Sequence, residues 1–191
     1  MKLTKLPLVA ALSLLVLSSN AWAQSTKRLI DEVNPFIGTS NFGTTNPGAV
    51  VPNGLMSITP FNVSGSPELN KFDKDKRWWS TPYTADNKFF SGFSHVNLSG
   101  VGCPELGSII VSASSGDLDV DYTHYGSAMS HEQAHPGYYS VELDKHKIKA
   151  EVTATQRTAV SAFTFERGGK SNILVNLGLG LTNESGATVR F

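Results

Sequence analysis

The sequence predicts an all-β domain, an antiparallel β-sandwich, on three observations. Apolar and polar residues alternate with period two through the second half of the chain, the pattern of half-buried strands. Turn-forming residues interrupt that alternation roughly every ten residues, the rhythm of a sandwich. No stretch carries the apolar period of a helix of ordinary length, and no internal repeat is present.

The elements follow in order from the N-terminus. Residues 1–23 are expected to be a cleaved signal peptide. Lys2 and Lys5 make a positive start, residues 6–17 form an apolar core, and Ala21-Trp22-Ala23 is a small-x-small cleavage site before Gln24. The apolar core is too short to span a bilayer comfortably, and no later stretch is longer. Residues 24–191 are therefore read as one exported domain, periplasmic or secreted. The chain holds 16 basic and 16 acidic residues, and losing Lys2 and Lys5 leaves a slight acidic excess. Neither nucleic acid nor an anionic membrane then has an electrostatic claim on it. Cys103 is the only cysteine, so no internal disulfide forms and a small buried thiol is expected.

The first half is rich in loops. Val33-Asn34-Pro35-Phe36-Ile37-Gly38-Thr39 and Asn46-Pro47-Gly48-Ala49-Val50-Val51-Pro52-Asn53-Gly54-Leu55 are glycine-punctuated segments between apolar runs. Residues 59–83 read as a long polar loop with Pro60, Pro67, Pro82 and a charge run over 71–77. A loop of that length in a compact domain is usually functional. Gly92-Phe93-Ser94-His95-Val96-Asn97-Leu98-Ser99-Gly100-Val101-Gly102-Cys103 is a third such run. Asp117-Leu118-Asp119-Val120-Asp121 opens like a calcium loop, but Tyr122 and Ala128 stand where an EF-hand needs Gly and Glu. A polar-out strand is expected there instead.

His131-Glu132-Gln133-Ala134-His135 fits H-E-x-x-H, which in a zinc peptidase places both histidines on one helix face. Pro136 disfavours helical geometry at His135, so a strand without zinc is expected. Tyr139, Val141 and Leu143 alternate with Ser140, Glu142 and Asp144; Ile148, Ala150, Val152 and Ala154 alternate with Lys147, Lys149, Glu151 and Thr153. The Lys145-His146 link suits a hairpin. Residues 157–165 make a third strand with Phe163 and Phe165 on one face, and Arg167-Gly168-Gly169-Lys170 is a turn. Ile173, Val175 and Leu177 mark a fourth strand. Residues 187–191 start another, so the sandwich is expected to be incomplete.

Two places suit a sugar. Adjacent Trp78 and Trp79 in an extended loop face opposite sides, so one can anchor the loop while the other offers a flat apolar face to a pyranose. His95, among Ser94, Asn97 and Ser99, either binds a sugar hydroxyl or hydrogen-bonds backbone to hold its loop. Glu105, Asp73 and Asp75 are carboxylates without a motif, and none is given a catalytic role. The sequons at Asn62, Asn97 and Asn183 are read as chance.

The glycine-punctuated blocks, followed by Ala134-His135-Pro136-Gly137-Tyr138-Tyr139-Ser140-Val141-Glu142-Leu143, resemble in order and spacing the N-terminal domain of glycoside hydrolase family 92. These are calcium-dependent exo-α-mannosidases, and the resemblance runs from about Val33 to the last residue. It implies a sandwich of the galactose-mutarotase-like supersandwich type and an inverting attack on mannose-containing glycans. It also implies a partner: the (α/α) catalytic domain of the same enzyme, which carries the acid, the base and most calcium ligands. No cofactor is expected in this stretch itself. In members favouring α-1,2 linkages a tryptophan from the long loop reaches the active site, and Arg77-Trp78-Trp79 matches that block as a unit. The reading is an N-terminal domain that supplies loops to a sugar site and is inactive alone. The alternative is a free-standing carbohydrate-binding module of the same fold.

Overall fold

The computed structural model describes residues 28–41, 43–63, 80–100, 102, 105–166, 168–181, 188 and 190. The proposed signal segment, Trp78, Trp79, Cys103 and most of the last expected strand lie outside the described residues. The chain divides into two compact units, residues 1–32 and 33–191. In the first, the described part is a 3-10 turn at Leu29–Glu32, with Arg28 paired to Asp31 at 2.8 Å. Among the described residues no helix is long and apolar enough to cross a membrane.

The second unit is built of strands: β1 (Ala49–Val50), β2 (Ser57–Phe61), β3 (Phe89–Phe90), β4 (Gly92–His95), β5 (Ser108–Ser115), β6 (Ser127–His135), β7 (Tyr138–Leu143), β8 (Ile148–Ala154), β9 (Ala159–Phe165) and β10 (Ser171–Asn176). They form two antiparallel five-stranded sheets, ordered β1-β2-β4-β5-β10 and β3-β6-β7-β8-β9. The sheets face each other across one core. Ala49, Ile58, Phe93 and Ala113 come from the first; Tyr139, Val141, Leu143, Ile148, Ala150 and Val152 come from the second. Phe93 sits at its centre, edge-on to Phe90 at 4.9 Å and to Tyr139 at 6.1 Å. These are the offset geometries that ring quadrupoles favour. A smaller cluster of Phe61, Val63, Ile110 and Leu179 covers the other face of the first sheet.

The β7–β8 hairpin matches its sequence pattern residue for residue, with every apolar member of the alternation buried. β10 also forms, but only Leu174 of its apolar residues is buried; Ile173 and Val175 are 56% and 59% exposed, and Leu177 lies beyond the strand. Their register with Ala113 and Val111 places them on the inner side of the first sheet, where the second sheet does not reach far enough to cover them.

Two expectations fail. Thr59 and Pro60 belong to β2, not to the loop. A proline sits inside a sheet only where no ladder bond is asked of it, and β1 pairs with Ser57 and Ile58 and ends there. Residues 117–121 form no strand. Asp119 accepts the Asp121 N–H at 2.9 Å, and Asp121 accepts the N–H and hydroxyl of Thr123. These short aspartates satisfy the local backbone themselves, which favours turns over ladders.

Candidate functional site

Three loops meet at one place in the second unit, and each is a segment that the sequence marks by glycine or length. The 34–48 loop lies between the other two. Its Thr39 carbonyl accepts the Ala85 N–H at 2.8 Å, its Asn41 N–H donates to Asp86 at 3.2 Å, and its Thr44 carbonyl accepts the Gly100 N–H at 2.7 Å. The 80–88 leg of the long loop and the 92–107 run are thus clasped to a common neighbour. The 34–48 loop is itself tightly folded, with Gly43 N–H bonded to Ser40 O and Thr45 N–H to Gly38 O. A Cβ on Gly43 would lie 1.9 Å from the Gly38 carbonyl oxygen, so no larger residue fits.

Asn62, at the end of β2, fastens the 80–88 leg. It is fully buried. Its Nδ2 donates to Thr84 O at 2.7 Å and Asn87 O at 2.9 Å, and its Oδ1 accepts the Thr84 N–H at 2.8 Å. A side chain so used is closed to modification in the folded chain, in keeping with a chance sequon. Asn97 is similarly engaged, donating to Ser57 O and Ser94 O.

Glu132 is the second anchor. β6 slips register between Ser130 and Gln133, and His131 takes a left-handed φ of 50°. This bulge turns Glu132 inward while His131, Gln133 and His135 stay on the outer face. Its Oε2 accepts both the Tyr83 hydroxyl at 2.7 Å and the Tyr139 hydroxyl at 2.9 Å; its Oε1 pairs with Lys88 at 3.0 Å. Burial first, and then the Glu132 charge, push both phenols far above their ordinary range, so they remain protonated donors. The H-E-x-x-H reading as a strand is confirmed. Two residues four apart on an extended strand lie roughly 13 Å from each other, too far to share an ion. His131 instead pairs with Glu142 at 3.0 Å, and His135 stacks on Tyr138 at 4.6 Å.

His95 closes β4. Its Nδ1 lies 2.6 Å from the Ile109 carbonyl. A carbonyl only accepts, so Nδ1 carries a proton and donates to it, which leaves Nε2 as the ring nitrogen open to a further partner. Around it, Val96, Leu106 and Ile109 all hold positive φ, a conformation that costs a bulky residue on the order of 1–3 kcal/mol and gathers at functional sites. Trp78 and Trp79 directly precede the buried Ser80 at the start of the clasped leg.

Sequence reasoning found the loops but not the groups that fasten them. Asn62 looked like a sequon and Glu132 like part of a zinc motif. Nothing in the alternation of β6 announces the bulge that turns Glu132 inward.

The family model for the glycosyl hydrolase family 92 N-terminal domain matches residues 32–191. The chain belongs to this family. Among solved structures it is similar to the family GH92 alpha-mannosidase BT3965 from Bacteroides thetaiotaomicron, at 30% identity and a TM-score of 0.71, covering 81% of this chain and 21% of that one. It is also similar to the GH92 family glycosyl hydrolase ccman5, at 28% identity and a TM-score of 0.64, covering 80% and 21%. A protein of Arthroderma benhamiae named an uncharacterized secreted glycosidase is 28% identical over 178 residues, 86% of this chain and 21% of the relative. The chain therefore spans about a fifth of the length of the family 92 relatives it matches.

Proposed function

We propose that this chain acts as the N-terminal domain of a secreted exo-α-mannosidase, supplying loops to a site for mannose-containing glycans. The observation that carries the reading is the clasping of the 34–48, 80–88 and 92–107 loops to one another in a family 92 domain similar to an α-mannosidase. Loops that build one site must converge on a rigid scaffold. Trp78 or Trp79 gives the apolar face of a pyranose its platform, and His95 offers Nε2 to a hydroxyl. The acid and base of an inverting glycosidase reside in the remainder of a family-length protein, which is this domain's partner. Calcium belongs with them. Among the described residues no group of three or more carboxylate, imidazole or thiol side chains is arranged to hold a metal ion. On this reading residues 1–23 direct export and are removed.

The test uses the chain's own fluorescence. Of its three tryptophans, only Trp78 and Trp79 remain after signal removal. At least one is expected to be quenched by acrylamide and protected by α-1,2-mannobiose, and replacing it by Ala is expected to abolish the protection. Two indoles inaccessible to quencher would overturn the platform. Pure chain is expected to release no product from an aryl α-mannoside, with or without calcium. Turnover would overturn the assignment of the catalytic groups to a partner domain. Sugar protection by a chain whose gene encodes no further domain would favour the free-standing module.

A further inference from the structure

We propose that β9 is a self-recognition edge, through which two copies of this chain pair antiparallel about a two-fold axis at Ala162. Among the described residues β9 has β8 on one side and no strand on the other. Its sequence, Ala-Val-Ser-Ala-Phe-Thr-Phe, holds no charge, proline or glycine. Natural edge strands are usually blunted by such residues or by bulges. β9 has no bulge either, because it keeps register with β8 from Ala154–Ala159 to Ile148–Phe165.

The backbone groups available for pairing follow from the ladder. Thr155 N–H donates to Thr158 O at one end of the hairpin, and Glu166 N–H donates to Lys147 O at the other. Bonded and non-bonded pairs alternate between these ends. The N–H and C=O of Val160, Ala162 and Thr164 therefore point to β8, and those of Ala159, Ser161, Phe163 and Phe165 point to the open edge. A two-fold axis at Ala162 sets Ser161 against Phe163 of the second copy, and Ala159 against Phe165. Each such pair exchanges both of its backbone bonds. All seven residues are then paired, and every open-edge group has a partner.

The side chains fit the same register. On the inner face the half-buried Phe163 and Phe165 meet the small Ser161 and Ala159 of the second copy. On the outer face Val160, 54% exposed, meets Thr164, and Ala162 meets itself. The nearest charges on β8, Lys149 and Glu151, are already paired at 3.0 Å. Within Ala159–Phe165 the register sets no like charges against each other, and the product is one continuous sheet.

A charge swap tests it. The purified chain is expected to be dimeric by light scattering across a dilution series. Ala162→Lys and Ala162→Glu, made at an exposed outward position, are expected to be monomeric with the wild-type far-UV spectrum, because each sets like charges directly opposite. An equimolar mixture of the two is expected to return to dimers, which happens only if residue 162 faces itself. A wild-type chain monomeric at every concentration would overturn the proposal and leave the edge to a strand of another polypeptide. Association that survives in both variants, or a mixture that stays monomeric, would overturn it equally.

Discussion

Two side chains, Glu132 and His146, show how much of this fold rests on buried polar atoms. Glu132 holds two phenols that have no water to turn to. Replacing it by Ala strands both, and an unsatisfied buried group costs roughly 1–3 kcal/mol. Glu132→Ala is therefore expected to lower stability by about 2–4 kcal/mol in urea unfolding. Glu132→Gln keeps one acceptor oxygen and is expected to cost less. Equal, negligible losses would show that Tyr83 and Tyr139 find other partners. His146, also buried, bonds through Nε2 to Tyr125 O at 2.8 Å, while its Nδ1 accepts the Ser115 N–H at 3.4 Å. Burial lowers its pKa from 6.5, against the Tyr125 bond and with the help of Lys145. Between the lowered folded value and 6.5 the unfolded chain binds more protons than the folded one. Its contribution to stability is therefore complete above 6.5, falls as the pH drops toward the folded value, and is constant below it. His146→Gln is expected to flatten that part of the stability–pH curve. An unchanged slope would place the acid sensitivity elsewhere.

Elements were legible wherever one face meets the core and the other meets water. β7 and β8 satisfy that condition along their whole length, so period two marked which of their residues face the core. β10 satisfies it poorly. Its inward Ile173 and Val175 are uncovered and its opposite-facing Leu174 is buried, which a strand with a core on each side of its sheet produces. Residues 117–121 show the opposite failure, since alternation was present but aspartate side chains capture the backbone. The 80–88 leg has no periodic signal at all. Its position is fixed by groups distant in the chain, foremost Asn62, whose bonds reach 22 and 25 residues ahead, a relation no local pattern carries. Asn62→Ala removes three buried bonds and is expected to cost about 3 kcal/mol or more, from roughly 1 kcal/mol per bond and the groups left unpaired. Hydrogen exchange is expected to quicken across 80–88 but not in β7 or β8. Uniform quickening would mean that the leg has no stability of its own apart from the sandwich.

At the scale of the whole second unit, the sandwich is well filled at its centre and open at one side. The candidate site needs only the filled part: β2 and β4 lead into the loops, and both lie over the β7–β8 core. The family was legible because its glycine-punctuated blocks are these loops, each tied to backbone geometry that few residues adopt. The division makes a contrast that can be measured. Phe93, from the first sheet, packs against the rings of Phe90, Tyr139 and Phe163 of the second, and Phe93→Ala is expected to cost about 3–5 kcal/mol through lost burial and the cavity left behind. For a chain of this size that is a fall in Tm of roughly 2–4 °C per kcal/mol. Ile173→Ser removes an already exposed side chain and is expected to stay within about 0.5 kcal/mol. It also reduces binding of an apolar dye, because Ile173 and Val175 form part of the uncovered inner face. A loss at Ile173 comparable to that at Phe93 would mean that this face is covered in solution, and the side described as open would then be closed.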